Sequence, residues 1–360
     1  MSRSAAFFAS LLVSLGRPAW WVLALAGFLA RGGIVLAILP IVSLPSPLGL
    51  SDIFAPAIMQ LRLGSPDVAL VVSIVGVVAG IVACVVIGGL IGAATDLALI
   101  RDGALAAAEE GVTDVGPRGR PSADVETRPA RRGGFRIVVR ILIVRLVAHL
   151  PLAVAVAIGS VAVVNVTYAE LTRPDDVVTP LVVRVVIGAA WPMVGIVVAW
   201  LLGELAGGTA ARRIALDGEG VRDALGSAVA ALVIRPRSTL VPGIAMTIAL
   251  VVILAATLGG SRIAWLRADG ALTDATVDPG TLVLTLMTFV AIWLAALTLI
   301  GLVAAARSAA LTFEAVRDGA QRLRSSTSRD EAGGDVGGTF GASTHHRPGD
   351  RPVGDDGGSL

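Results

Sequence analysis

Residues 68–95 read VALVVSIVGVVAGIVACVVIGGLIGAAT, 28 consecutive positions without a charged side chain. A helix crosses the hydrocarbon core of a bilayer with about 20 apolar residues. Inside lipid every backbone N–H and C=O must be paired within the protein, so one apolar segment of this kind forms a helix rather than an isolated strand. The stretch therefore predicts a transmembrane helix.

The composition of the whole chain indicates the same class. Of its 360 residues, 55% are hydrophobic and 16% are charged, and the mean hydropathy is +0.83. Soluble domains carry about 25% charged residues. These values exclude an ordinary soluble enzyme, a disordered chain and a disulfide scaffold, and the one cysteine, Cys84, lies inside the apolar run. We predict an all-α integral membrane helical bundle.

Reading the remaining sequence between charged residues gives six candidate spans, at about residues 19–43, 66–95, 141–169, 180–203, 238–261 and 279–306. We expect them to form one membrane domain, residues 1–324. Residues 104–132 are rich in Gly, Pro and charged side chains and are predicted to be a mobile cytoplasmic loop. Residues 325–360 are polar and rich in Gly and Asp, which predicts a disordered cytoplasmic tail.

The distribution of arginine predicts the orientation. All 29 basic side chains are arginine, and five of them lie in or beside the loops after the first, third and fifth spans: Arg62, Arg173, Arg184, Arg262 and Arg267. Cytoplasmic loops carry the excess of basic residues, so we expect both termini in the cytoplasm and the chain in a bacterial inner membrane. The net charge of +2, with no basic stretch interleaved with aromatics, does not indicate a nucleic-acid partner.

Matching features in the three pairs of spans predict a threefold internal repeat of one helix pair. Each even span is predicted to begin at a proline, and the residue before that proline is of a type common at helix N-caps. Each even span also ends near an Asp-Gly dipeptide. Small residues lie 14 and 10 positions before each of those aspartates, a spacing that lets helix backbones approach closely in lipid. The members are Ser65-Pro66, Thr179-Pro180 and Asp278-Pro279; Asp102-Gly103, Asp217-Gly218 and Asp318-Gly319; and Gly88/Gly92, Gly203/Gly207 and Ala304/Ser308.

Two segments outside the spans have the periodicity of amphipathic helices. In residues 2–16 one helical face holds Phe7, Phe8, Leu11, Leu12 and Leu15, and the other holds Arg3, Ser10, Ser14 and Arg17. Residues 221–234 repeat the pattern with Val221, Leu225, Val229 and Leu232 on one face. We predict that both helices are cytoplasmic and lie on the inner leaflet. For the first segment, the alternative is a cleaved secretory signal.

Four residues form the candidate polar site inside the membrane: Arg31, Arg145, His149 and Glu204. An arginine at the centre of a span costs about 2.5–3.5 kcal/mol on insertion scales, so the two arginines are expected to face protein or water. One interpretation is a site that binds an anionic head group or passes protons, with Glu204 as the carboxylate partner. The other is structural, with the arginines capping backbone carbonyls. Asp96 and Asp102 are expected to be solvated.

Sequence motifs of catalysis are missing from the chain, which has no Walker A run, no G-x-S-x-G, no H-E-x-x-H and no paired cysteines. We therefore predict no catalytic residue, no cofactor and no metal site. Whether the chain is an enzyme stays open, and the missing motifs favour a protein that is not one.

Residues 202–236 contain Gly203, Gly207, Arg213, Asp217-Gly218, Asp223-Ala224 and Arg235-Pro236. This segment resembles one in poorly characterised bacterial six-span membrane proteins, which are similar to the membrane domain attached to some glycerophosphodiester phosphodiesterases. The chain has no phosphodiesterase catalytic domain, so the resemblance implies a membrane module without its enzyme, and it implies no site residues.

Two functional hypotheses follow. The first is a non-enzymatic scaffold or accessory subunit that holds lipid or a partner with its amphipathic helices. The second is a transporter or lipid-handling protein with a cavity at the candidate polar site. The expected partners are membrane lipids and either another membrane protein or further copies of this chain.

Overall fold

The structure is a computed structural model that describes residues 3–42, 59–60, 63–64, 67–112, 130–172, 181–234, 236–274 and 276–334. All regular secondary structure in these ranges is helical, and six helical segments are long and apolar enough to cross a membrane. These findings confirm the prediction of an all-α protein with six candidate spans. Residues 113–129 of the predicted loop and 335–360 of the predicted tail lie outside the described ranges.

The helices follow one another as Arg3–Gly16, Pro18–Phe28, the π-helical turn Leu29–Gly33, Ile34–Ile38, Val68–Glu109, Ala130–Ala148, Leu150–Leu171, Leu181–Gly188, Ala190–Leu216, Val221–Ile234, Pro236–Thr273 and Pro279–Gly334. We call Arg3–Gly16 the N-terminal helix and Val221–Ile234 the connecting helix. The candidate spans, numbered 1 to 6, are Pro18–Ile38, Val68–Glu109, Gly134–Glu170, Ala190–Leu216, Gly243–Thr273 and Pro279–Gln321.

Several helices continue past the limits predicted for them. Span 2 has 42 residues, which rise about 63 Å and exceed a hydrocarbon core of about 30 Å. It ends at Glu109, inside the predicted loop 104–132, because residues 104–109 are strong helix formers. The helix that leads into span 3 begins at Ala130, inside the same loop. The last helix ends at Gly334, so residues 325–334 are helical rather than part of a disordered tail.

The structure describes the caps of spans 2 and 6, and the cap of span 6 agrees with the prediction. There the Asp278 carboxylate accepts hydrogen bonds from the backbone N–H of Gly280 at 2.8 Å and of Thr281 at 3.1 Å. At span 2 the N-cap is Asp67, which accepts a hydrogen bond from Leu70 N at 2.7 Å, so the cap role predicted for Ser65 was misplaced by two residues. Residues 65–66 and 179–180 lie outside the described ranges.

The chain divides into two compact units, Met1–Arg317 and Asp318–Leu360. Within the first, span 2 contributes to two buried cores. One core joins spans 2, 3 and 4 with the connecting helix, and its members include Ala93, Ile100, Ile141, Val144, Ala210, Ile214 and Ala224. The other joins spans 1, 2 and 6, and its members include Trp20, Ala24, Leu99, Ala107, Ala305, Ala309 and Phe313. In the second unit the structure describes only helix, up to Gly334.

The N-terminal helix buries small polar side chains and leaves part of its apolar face exposed. Ser10 and Ser14 are fully buried, whereas Phe8 and Leu12 are 62% and 69% exposed. The serine hydroxyls donate to carbonyl oxygens three residues earlier in the same helix, so small polar side chains pack closely without losing their hydrogen bonds. In the connecting helix, too, small residues (Ala224 and Ala228) are the buried ones. That both helices are cytoplasmic and lie on the inner leaflet stays a prediction.

Candidate functional site

Span 1 is interrupted at Leu29–Gly33, where the helix widens into a π-helical turn. Gly32 has φ +102°, a conformation that glycine adopts without the strain of a side chain. Arg31 Nε donates a hydrogen bond to the Gly27 carbonyl oxygen at 3.0 Å. The arginine therefore satisfies a backbone acceptor beside the break, as the structural interpretation predicted, and its other nitrogens remain available to neighbouring spans.

Asp96 on span 2 accepts from two arginines through one oxygen. Arg31 Nη1 lies 2.8 Å from Asp96 Oδ2, and Arg145 Nη2 of span 3 lies 2.6 Å from the same atom. Asp96 is 7% exposed, so the expectation that it is solvated was wrong. One carboxylate thus links spans 1, 2 and 3 inside the bundle.

Glu204 on span 4 is the second carboxylate. Arg307 Nη2 of span 6 donates to Glu204 Oε2 at 3.1 Å, and Arg145 Nη1 lies 3.7 Å from Oε1. His149 Nε2 lies 3.5 Å from the same Oε1, and its Nδ1 is 2.8 Å from the Arg145 carbonyl oxygen. A protonated imidazole would add a further positive charge here.

Arg212, on span 4, holds spans 4 and 6 together. Its Nε donates to Thr312 Oγ1 at 3.2 Å and its Nη2 to the Ser308 carbonyl oxygen at 3.2 Å, while Nη1 donates to the Gly208 carbonyl oxygen at 2.8 Å. The residue is 6% exposed. All three acceptors are uncharged, so these hydrogen bonds satisfy the guanidinium N–H groups without neutralising their positive charge.

Glycines on the even spans let the neighbouring backbones come close. A Cβ at Gly88 of span 2 would overlap the carbonyl oxygen of Ala30, in the π-helical turn of span 1. A Cβ at Gly203 of span 4 would lie 3.0 Å from the carbonyl oxygen of Ala148 of span 3. A backbone atom cannot move aside as a flexible side chain can. Glycine at these two positions therefore sets how closely Arg31 and Arg145 approach the carboxylates.

The charged side chains of the two carboxylate clusters and Arg212 line a cavity of about 360 Å³ inside the bundle, whereas His149 is not among its lining residues. Its lining includes four arginines and two carboxylates: Arg31, Arg145, Arg212, Arg307, Asp96 and Glu204. It also includes apolar side chains of spans 1 and 5: Ala24, Phe28, Leu36, Leu250, Val251 and Leu254. With all six groups ionised, the charged lining carries two positive charges in excess.

Some guanidinium N–H groups at the cavity have no acceptor. Nε and Nη1 of Arg145 and Nε of Arg307 are buried and make no hydrogen bond within the described part of the chain. A buried polar group without a partner costs about 1–3 kcal/mol, and more when it is charged. Arg145 and Arg307 also line the cavity, so an acceptor from outside the chain that reached these N–H groups would offset this cost.

The structure brings all four predicted residues, Arg31, Arg145, His149 and Glu204, into one network of ion pairs. Sequence reasoning missed Asp96, Arg212 and Arg307. Asp96 and Arg307 come directly after the limits predicted for spans 2 and 6, because the prediction ends these two spans at the first charge after the apolar run. In the part of the chain that the structure describes, no group of three or more His, Cys, Asp or Glu side chains is placed to hold a metal ion.

Comparisons with known proteins give no match: no family model, no curated protein and no solved structure is significantly similar to the chain.

Proposed function

We propose that this chain is a lipid- or solute-handling membrane protein whose intramembrane cavity binds an anion. The observation that carries the proposal is the cavity lining, in which four arginines outnumber two carboxylates and buried N–H groups of Arg145 and Arg307 have no acceptor. Of the two hypotheses made from the sequence, this geometry favours the transporter or lipid-handling protein.

Unbalanced charge is costly in a low-dielectric interior. Transfer of an ion out of water costs several kcal/mol even after the protein relaxes, and only opposite charge and hydrogen bonds offset it. Asp96 and Glu204 offset part of the cost for Arg31, Arg145 and Arg307. An anion that accepts from the free N–H groups would offset the rest, so binding and stability are coupled at this site.

The residues have distinct roles in this proposal. Arg145 and Arg307 bind the anion, since they hold the free donors. Asp96 and Glu204 position them, because each carboxylate contacts two of the arginines. Arg31, with 34% of its side chain exposed, lies at the edge of the cavity beside the π-helical turn.

The setting of the site is part of the proposal. Both termini lie in the cytoplasm of a bacterial cell, by the arginine distribution, and the six spans form three like-oriented helix pairs. The close backbone approaches at Gly88 and Gly203, both 14 residues before an Asp-Gly dipeptide, support two of the three pairs. We also propose, from its resemblance to the membrane domain attached to some glycerophosphodiester phosphodiesterases, that the chain is a membrane module without the enzyme.

The second candidate function is a scaffold or accessory subunit, favoured by the exposed apolar side chains of the N-terminal helix. Phe8, Leu12 and Leu15 are 62%, 69% and 52% exposed, while Phe7 and Leu11 pack on Met246, Ala306 and Ala310. Such a surface suits the inner leaflet or a partner membrane protein. A scaffold needs this surface and has no use for free donors inside a cavity, so the two candidates predict different effects of cavity variants.

Native mass spectrometry of the protein extracted in mild detergent tests the proposal. We expect a bound anionic species on the wild-type protein and its loss from Arg145→Gln. The matched control is Arg140→Gln, which removes the same charge from an exposed position on the same helix and should retain the species. Circular dichroism checks that Arg145→Gln is folded. If folded wild-type protein carries no anion, or if both variants carry it equally, the proposal fails.

A further inference from the structure

The cavity has two chemically different walls. Spans 2, 3, 4 and 6 supply Asp96, Arg145, Glu204, Arg212 and Arg307, and so almost all of its charge. Spans 1 and 5 supply mainly hydrocarbon, from Ala24, Phe28, Leu36, Leu250, Val251 and Leu254, together with the charge of Arg31. Spans 2, 4 and 6 add Leu99, Trp200 and Leu311 to the apolar lining. A small inorganic ion would use only the first wall. A ligand that uses both is an amphiphile with an anionic end and an apolar body.

The apolar wall also reaches the outer surface of the bundle. Leu250 is 8% exposed and buried, whereas Val251, its neighbour in the cavity lining, is 46% exposed. Val252, the next residue, is 60% exposed and is not among the lining residues, so this stretch of span 5 also has an outer face, which lipid covers when the span crosses a membrane. On the span 1 side, Gly32 lines the cavity and is exposed as well. Hydrocarbon can therefore extend from the cavity into the bilayer between spans 1 and 5.

The size of the cavity agrees with partial entry of such a ligand. Sites that enclose a whole small molecule have volumes of about 300–1,000 Å³. A cavity of about 360 Å³ is at the lower end of this range. It suits a compact head group and the first part of a chain, with the remaining chain in lipid.

The charge of the site selects the kind of head group. The charged lining has an excess of two positive charges, and guanidinium groups bind phosphate oxygens with paired N–H donors. A phosphate monoester carries about −1.5 to −2 charges at pH 7, whereas a phosphate diester carries one. The monoester therefore neutralises the lining more completely and offers three terminal oxygens to Arg145 and Arg307.

From these observations we infer that the ligand is a lipid phosphate monoester, with its phosphate at Arg145 and Arg307 and its hydrocarbon leaving past Val251 into the bilayer. This inference rests on the proposed function and specifies the ligand of the same site. The two parts of the ligand have separate residues, so each can be tested separately.

The experiment measures how lipids shift the unfolding temperature of the purified protein in dodecyl maltoside. The probes are short-chain phosphatidic acid, short-chain phosphatidylglycerol, glycerol 3-phosphate and inorganic phosphate. We expect the concentration that gives half of the maximal shift to be lower for phosphatidic acid than for phosphatidylglycerol, by about tenfold or more. This is the effect of one added hydrogen bond between charged groups. The two soluble phosphates, which lack a chain, should bind more weakly than phosphatidic acid.

Variants at the charged and at the apolar wall test which residues bind the phosphate and which contact the hydrocarbon chain. Arg145→Gln should lower the affinity of the protein for phosphatidic acid by about tenfold or more, whereas Arg140→Gln should leave this affinity unchanged. Val251→Trp, at a half-exposed position where folding tolerates the change, should lower the affinity for phosphatidic acid and leave the affinity for inorganic phosphate unchanged. Its control is Val252→Trp, because Val252 is 60% exposed and is not among the lining residues.

The outcomes separate this inference from the proposed function. If phosphatidylglycerol or a soluble phosphate binds as tightly as phosphatidic acid, and Arg145→Gln still abolishes binding, the cavity binds an anion and the inference about a lipid monoester is overturned. Equal effects of the two tryptophan variants would overturn the route past Val251. If none of the probes binds in a manner that depends on Arg145, both the inference and the proposed function fail.

Discussion

Replacement of Asp96 with asparagine removes the charge that two arginines share while it keeps the shape of the side chain. The Asp96 carboxylate is 10% exposed, and its Oδ2 lies 2.8 Å from Arg31 Nη1 and 2.6 Å from Arg145 Nη2. Removal of one partner from a buried ion pair costs about 3–5 kcal/mol. Water compensates part of the loss at Arg31, whose side chain is 34% exposed, but little at Arg145, at 15%. We therefore expect Asp96→Asn to lower the free energy of unfolding by an amount near the lower end of this range, about 3 kcal/mol.

The assay for this prediction is unfolding in mixed micelles of dodecyl maltoside and dodecyl sulfate, followed by circular dichroism. The matched control is Asp102→Asn, an exposed position on the same helix, where a surface substitution changes the free energy of unfolding by about 0.5 kcal/mol or less. If Asp96→Asn is no less stable than Asp102→Asn, Asp96 does not pair with Arg31 and Arg145, and the geometry of the site is wrong.

Three further predictions concern the packing, the electrostatics and the helix cap. Gly88→Ala should lower the free energy of unfolding by about 1–3 kcal/mol, because the added Cβ overpacks against span 1. Its control is Gly80→Ala, where an added Cβ meets open space and the change should be neutral or stabilising. Equal effects of the two substitutions in the same micelle assay would refute the close approach. Glu204→Gln removes the counter-charge of Arg307 but keeps a side-chain oxygen that accepts from Arg307 and holds it in position. It should therefore destabilise the ligand-free protein and tighten anion binding; titration with phosphatidic acid checks this, and weaker binding would contradict it. Hydrogen bonds from the Thr281 hydroxyl and from the backbone N–H groups of Gly280 and Thr281 hold the pKa of Asp278 below its ordinary value. The cap therefore stabilises span 6 at pH values above the ordinary aspartate pKa, and this stabilisation is lost as the pH falls through the lowered pKa of Asp278. Thr281→Ala should raise this pKa in a carboxyl NMR titration, and an unchanged value would exclude the Thr281 hydroxyl as a cause of the lowered pKa.

The number and type of the spans could be predicted because hydrophobicity acts locally. Each apolar run of about 20 residues is a helix in lipid whatever its neighbours are. Arg31 and Arg145 were found for the same reason, since a charge inside such a run is costly wherever it lies. Their partners were harder to find, because a partner is chosen by how the helices pack rather than by spacing along the chain.

Asp96 and Arg307 show where the reasoning failed. Both come directly after an apolar run, where sequence alone predicts that the protein meets water. In the structure each helix continues, span 2 to Glu109 and span 6 to Gln321, so these charges face protein. An Ala-rich helix does not end at its first charged residue, and the opposite charges on neighbouring helices compensate the cost of burial.

The N-terminal helix shows a second limit of sequence patterns. Its periodicity divides apolar from polar residues correctly, but in a membrane protein the apolar side is free to face lipid. Ser10 and Ser14 are buried because their hydroxyls bond to carbonyl oxygens of their own helix. Small side chains then decide which face meets protein, a rule that hydrophobicity alone does not contain.

The account depends most directly on an anion at Arg145 and Arg307 inside the bundle. A structure determined by electron cryomicroscopy in nanodiscs that contain phosphatidic acid tests this claim. We predict density for a phosphate group within hydrogen-bonding distance of both guanidinium groups, continued by a chain that passes Val251. A well-resolved bundle in which the cavity is closed by the protein's own side chains, with Arg145 and Arg307 both satisfied within the chain, would contradict it.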